Sequence, residues 1–253
     1  MDTEILAPPA DATEAEPRLT PKDAQVLADY SRAHYLVQLV GIVAFFALVG
    51  LLIWQMARAY SHPVQLLPVV SALFAGYLVA DLVSGLVHWG FDTWGSIHLP
   101  VLGNAFIRPF REHHFDELAI TRHGFVQTNG NNSLAALPVL VGTLLVSGPA
   151  GATWPVVLDA FMISLVLSVF ATNQFHAWAH AESVPRFIAL LQRWHLILPP
   201  AHHAVHHVRP HDTHYCITTG WLNGPLRAIG FFRGLEKIIV AVTGLRPRED
   251  DLA

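Results

Sequence analysis

At 253 residues, with 53% hydrophobic and 13% charged side chains and a mean hydropathy of +0.41, the chain is too apolar for a soluble domain, where about a quarter of residues are charged. A net charge of −4 and the lack of a basic stripe argue against nucleic acid as a partner. The single cysteine, Cys216, excludes an internal disulfide and any multi-cysteine zinc or iron–sulfur site, so a metal would be held by nitrogen and oxygen.

Residues 1–24 are acidic, rich in Ala and Pro, and lack the basic start and apolar core of a signal peptide, so a disordered tail is expected ahead of one membrane domain over 25–253. Residues 35–56 carry no formal charge and are long enough to cross roughly 30 Å of hydrocarbon. A short turn through His62 and Pro63 follows, with His62 read as a surface residue. The second span, 64–89, contains Asp81. A carboxylate this deep faces a polar interior or a partner. Asp81 is seven residues from His88, and His88 is four from Asp92, so all three share a helix face. Asp81 is then either a helix-packing hydrogen-bond acceptor or an outer partner that orients a metal-bound imidazole.

A polar, lysine-poor loop is expected over 91–132; it supplies His113, His114 and His123, while His98, between Ile97 and Leu99, reads as packed or merely exposed. The third apolar segment, 134–146, is short and contains Pro138, which leaves a tilted, kinked or re-entrant course open. The fourth, 156–172, runs on into Asn173, His176 and His180, which stand on one face of a helix leaving the membrane. Asp159, about 25 Å from His176 along that helix, is too far away to be a ligand. Residues 187–200 and 226–242 read as interfacial helices. The expected fold is therefore an all-α integral membrane protein with about four transmembrane helices, interfacial helices and a histidine-rich cap.

The cap centres on 202–214, HHAVHHVRPHDTH, six histidines in thirteen positions. On a helix, His206 and His207 would lie beside His203 on one face. Four crossings bring both histidine stretches to the side of the N-terminus. Arg108, Arg111, Arg122, Arg186, Arg193 and Arg209 lie on that side against Arg58 on the other, so the histidine side and both termini are expected to be cytoplasmic. The candidate metal ligands are His88, Asp92, His113, His114, His176, His180, His203, His206, His207, His211 and His214, of which His88, His176, His180, His203, His206 and His207 are the candidate catalytic set. This is more nitrogen than one tetrahedral zinc ion uses. Two iron ions, with O2 as co-substrate, would consume it and suit attack on a lipid's unactivated C–H bond. A membrane metal carrier or sensor, binding zinc or nickel reversibly, is an alternative of another class, and so is an incidental metal-binding tract. With no dinucleotide-binding motif and no cysteine set, electrons would come from a separate cytochrome b5-like or ferredoxin-like donor.

The motifs HWGFDTWGS (88–96), AFIRPFREHHFDE (105–117), ITRHGF (120–125), QTNGNN (127–132), NQFHAWAH (173–180), LILPPAHHAVHH (196–207) and HDTHYCITTGWLN (211–223) resemble, in that order, the plasmanylethanolamine desaturases and their CarF-like bacterial relatives. That family shares a lipid desaturase domain with the plant desaturase acting on plastid phosphatidylglycerol. The resemblance covers about 88–243; Gln127 and Asn131 stand where acidic residues are expected, and His214 precedes Tyr215 where the animal branch has an aromatic residue nearby. It implies a histidine-ligated diiron desaturase of a bacterial inner membrane that forms the 1'-alkenyl ether of plasmalogens from 1-O-alkyl ether phospholipids. Desaturation of an acyl chain of a phospholipid such as phosphatidylglycerol is the alternative with the same chemistry.

Overall fold

Helices make up the regular structure of the computed structural model, which describes residues 31–146, 148 and 151–248; the expected 1–24 tail lies outside these. Helix α1, Arg32–Ala59, starts where the Ser31 hydroxyl accepts from the His34 N–H. A 3-10 turn, Pro63–Gln65, leads into α2, Leu66–Thr93. His62 is exposed and caps that turn, its ring accepting from the Val64 N–H while the Gln65 side chain takes the N–H groups of Ser61 and His62. Short α3, Arg108–Glu112, is followed by α4, Phe125–Leu145, and α5, Thr153–His180. Four small helices follow among the described residues: α6, Arg186–Arg193; α7, Pro200–His203; α8, Asn223–Ala228; and α9, Phe231–Thr243. The single helix expected over 226–242 is broken at Gly230, whose φ of +64 is a left-handed conformation that glycine adopts without a Cβ penalty.

Helix α2 lies along α5, α1 lies along α4, and both α1 and α4 also touch α5. The core among them is Ile42, Phe45, Val49 and Leu52 of α1, Ala136 and Leu140 of α4, and Ile163, Val166 and Phe170 of α5, with the Phe45 and Phe170 rings stacked at 5.0 Å. Outward residues are apolar too, with Val40 66% and Leu67 75% exposed, as lipid contact requires. Residues 32–59, 63–93 and 153–180 form helices long and apolar enough to cross a membrane.

The polar loop expected over 91–132 ends earlier, because QTNGNN is the first part of α4. Asparagine usually disfavours a helix by competing for nearby backbone. Here the side chains are used between helices: Asn131 accepts from Gln38 and donates to the Ala105 carbonyl, and Asn132 donates to the Val169 carbonyl. Helix α4 contains the third apolar segment and is not among the helices long and apolar enough to cross a membrane. His88 and His176, near the C-terminal ends of α2 and α5, have ring centroids 5.7 Å apart. Those two helices therefore run the same way, and α4, 21 residues or about 31 Å long, carries the chain back between them.

Gly76 sets how closely α2 approaches α5: a Cβ there would sit 2.4 Å from the Phe161 carbonyl oxygen. Gly76→Val is expected to force the helices apart at a cost of about 1–3 kcal/mol, whereas Gly50→Ala, with nothing within 4 Å of the added Cβ, should be near neutral. Thermal unfolding of the two variants in detergent measures the difference.

Candidate metal centre

The last turns of the two parallel helices supply the first candidate ligands. His88 and Asp92 follow at i,i+4 on α2, both buried, with His88 Nε2 3.3 Å from Asp92 Oδ2. His176 and His180 repeat that spacing on α5, their Nε2 atoms 3.1 Å apart. His113 and His114 lie just past α3, which buried Arg111 fixes to the end of α2. Its guanidinium donates to the carbonyls of Phe91 (3.1 Å), Trp94 (2.9 Å) and Gly95 (2.9 Å), which have no partner within the helix.

The helical geometry that would set His206 and His207 beside His203 covers only the start of the histidine tract. Only Pro200–His203 is helical, and hydrogen-bonded turns follow, the first closed by His206 N–H to His203 O at 2.8 Å. Such turns curve enough like a helix to keep the three rings together, and His207 Nε2 is 3.0 Å from His203 Nε2. The chain then returns between α2 and α5. The Tyr215 carbonyl lies 3.1 Å from His88 Nδ1, the Ile217 N–H donates to Ser84, and Thr218 bonds Thr172 at 2.7 Å. Asp81, fully buried, accepts the backbone N–H groups of Thr219 (2.8 Å), Gly220 (2.9 Å) and Leu222 (3.1 Å). Its role is to clamp this return segment, and it orients no imidazole directly.

Two groups result, each with ligand atoms within 4.8 Å of one another: His113, His176, His180, His203 and His207, and His88, His113, His114 and His206. His113 belongs to both. Asp92 Oδ2 faces the second group, 3.3, 3.7 and 3.5 Å from the Nε2 atoms of His88, His114 and His206. His211 and His214 fall outside both groups. The His211 ring stacks on His114 at 4.4 Å with Nδ1 turned to the His206 carbonyl, and His214 packs against His202 with Nδ1 on the Thr213 hydroxyl. Both residues have left-handed backbone, φ 60 and 61. His98 is exposed, and Asp159, at the far end of α5, accepts from Gln55.

Hydrogen bonds cannot satisfy the first group. The Nε2 atoms of His176, His180 and His203 form a triangle with edges of 2.8, 3.1 and 3.0 Å. Each nitrogen of a neutral imidazole is either donor or acceptor, so at least one edge joins two of a kind. His113, buried, has no hydrogen-bond partner on either nitrogen. A cation resolves both defects. Two nitrogens each roughly 2.0–2.1 Å from one ion stand about 2.9 Å apart at a right angle, which is the spacing observed. The residues outside the spans are also in the ligating, neutral form: burial first, and neighbouring imidazoles second, push His113, His114 and His203 well below the usual histidine range. Burial likewise brings His206 and His207 down to about 3. The rear nitrogens are held in turn, His206 Nδ1 by the Thr213 carbonyl at 2.8 Å, while Glu117 reaches His207 Nδ1 at 3.6 Å and His180 Nδ1 at 3.9 Å. Glu117 and Arg111 were not legible as parts of the centre. The one available signal was that Glu117 follows His113 and His114 within FREHHFDE.

Residues 77–250 match a family model described as a lipid desaturase domain. The chain is 49% identical to plasmanylethanolamine desaturase of Myxococcus xanthus, over 94% of this chain and 84% of that protein. It is 49% identical to plasmanylethanolamine desaturase 1 of Mus musculus, over 78% of this chain and 73% of that one. Fatty acid desaturase 4, chloroplastic, of Arabidopsis thaliana is 34% identical over 69% of this chain and 53% of its own length. No solved structure matches.

Metal analysis of purified variants tests the grouping. His113→Ala should lower the metal content of both sites together, His203→Ala that of the first group, and His214→Ala should leave it unchanged. Glu117→Gln is expected to weaken metal affinity about 10–100-fold without abolishing it, read by chelator competition.

Proposed function

The chain belongs to the lipid desaturase family, and from that premise we propose that it is the desaturase that introduces the 1'-alkenyl double bond of plasmalogens into 1-O-alkyl ether phospholipids. The observation that carries the substrate is 49% identity to two relatives named plasmanylethanolamine desaturase, against 34% to the plant fatty acid desaturase. The reaction balances as one alkyl ether, O2, two electrons and two protons giving one vinyl ether and two waters. One C–H bond breaks at C1 of the alkyl chain and one at C2, and the second bond between those carbons forms.

The donor set supports two iron ions as the cofactor, which when bound would supply the redox chemistry of O2 reduction and C–H removal. His176, His180, His203 and His207 would hold one ion and His88, His114, His206 and Asp92 the other, with His113 between them. The chain's own part is to keep these imidazoles neutral, fixed in tautomer and out of water. His88 Nδ1 and His206 Nδ1 do this by giving their protons to the carbonyls of Tyr215 and Thr213, which leaves both Nε2 lone pairs facing inward. Asp92 places a carboxylate against these nitrogens, and so offsets part of a cation's charge. Of the two carboxylates deepest in the spans, Asp81 is taken up by backbone amides and Asp159 by Gln55. Neither then offers a path for ion passage, which speaks against a carrier.

The chain has no glycine-rich dinucleotide motif, and its single cysteine is buried. Electrons therefore come from a separate cytochrome b5-like or ferredoxin-like protein. Arg122, Arg186, Arg193 and Arg209 beside the histidine end, against Arg58 at the other, support a cytoplasmic site in a bacterial inner membrane. The Arabidopsis relative favours a second reading, desaturation of a phospholipid acyl chain. Expression in a host that makes 1-O-alkyl phospholipids but no vinyl ethers should yield acid-labile vinyl ethers on lipid analysis. A new acyl double bond with no vinyl ether would overturn the first reading in favour of the second.

A further inference from the structure

A cavity of about 520 Å³ lies between the end of the histidine tract and helices α8 and α9, within the size range of ligand sites. Its lining includes Arg227 and Arg233 against one carboxylate, Asp212. Arg233 donates to Asp212 at 2.6 Å, and Arg227 has no carboxylate partner among the described residues. The cavity is therefore net positive. Ile229, 74% exposed, separates the two arginines in sequence, and Ile238 and Val242 are exposed on α9, so the opening sits beside an apolar surface suited to the membrane interface.

The cavity is also next to the centre. Thr213, in its wall, accepts from His206 Nδ1 through its carbonyl at 2.8 Å. Phe232, also in the wall, packs on Tyr215 with ring centroids 5.0 Å apart, and Tyr215 packs on His206 at 5.3 Å. One layer of side chains divides the cavity from the histidine group that Asp92 faces.

We infer that this cavity holds the phosphodiester of the lipid substrate, with Arg227 as its principal partner and Arg233 as the second. The inference rests on the phospholipid reading above. In a 1-O-alkyl glycerophospholipid, six bonds separate phosphorus from the C1 that loses hydrogen, about 7–8 Å when extended. A reaction so near the glycerol places the phosphate within a side chain's length of the reacting carbons whatever holds it. A cationic cavity one layer from the ligands is where that charge is stabilised. Guanidinium groups pair with phosphate oxygens through strong, directional hydrogen bonds. A headgroup that carries an ammonium beside its phosphate finds Asp212 in the same cavity.

The test uses the full-length protein, iron-loaded and reconstituted in nanodiscs with its electron donor and a 1-O-alkyl phosphoethanolamine lipid. Arg227→Gln should raise KM about tenfold or more, with kcat and iron content within about twofold of wild type. Arg227→Lys should recover part of the loss, and Arg233→Gln should show a smaller rise. Inorganic phosphate at millimolar concentration should compete poorly, since it lacks the chain that delivers the headgroup. An unchanged KM in both glutamine variants overturns the inference, as does a loss confined to kcat and iron, which marks a structural effect. Equal competition by inorganic phosphate replaces the lipid with a free anion. Should wild type desaturate an acyl chain instead, the ether reading fails while the same KM comparison on that phospholipid still decides the cavity. Should wild type form no product, lipid retention by native mass spectrometry decides it: wild type should keep the phospholipid and Arg227→Gln should lose it, and equal retention rejects the site.

Discussion

The triangle of Nε2 atoms between His176, His180 and His203 is the constraint that the rest of the molecule serves. Three neutral imidazoles cannot all satisfy one another, and each has given up solvation to be buried. Left without a cation, such a cluster is a liability that the surrounding structure must hold in place. Its position follows from two helices running in the same direction, α2 and α5, which bring His88 to 5.7 Å from His176. Parallel neighbours require the chain to return between them, and α4 exists in this order for that purpose.

Holding non-helical backbone against such a cluster needs partners for every exposed peptide group. The return segment after the tract finds them in α2 itself. Asp81 takes the N–H groups of Thr219, Gly220 and Leu222, Ser84 takes the Ile217 N–H, and the Tyr215 carbonyl meets His88. One face of α2 therefore carries an amide clamp, a hydroxyl and a histidine of the cluster in successive turns. Arg111 does the corresponding work on the other side, where it ties the loop that carries His113 and His114 to the exposed carbonyls at the end of α2. A buried arginine and a buried aspartate in this region thus serve to fix the ligand geometry.

The parts of this arrangement that follow local rules could be read in the sequence. Apolar length gave α1, α2 and α5, and helical spacing put His88 with Asp92 and His176 with His180. The parts set by long-range contacts could not. QTNGNN looks like a loop until Gln38, Ala105 and Val169 are known to use its asparagines. The turns that follow His203, and the packing of the His214 ring on His202, likewise depend on contacts that local spacing does not carry. Glu117 had no periodic signal at all, since its contact with His180 and His207 depends on where α5 and the tract meet the loop.

Helix length accounts for the depth of the centre. Helices α2 and α5 have 28 residues each, about 42 Å at 1.5 Å per residue, whereas the hydrocarbon is roughly 30 Å thick. About eight residues of each therefore extend beyond the hydrocarbon if the other ends begin at its edge. On α2 those eight include His88 and Asp92, and on α5 they include Asn173, His176 and His180. With the helices so placed, the clustered histidines would stand at the level of the lipid's glycerol and headgroup, where the first two carbons of a chain lie and its middle does not. A site meant for the middle of a chain would need a channel to draw that chain up out of the bilayer, whereas a site at this height meets the ether-linked carbons where the lipid already holds them.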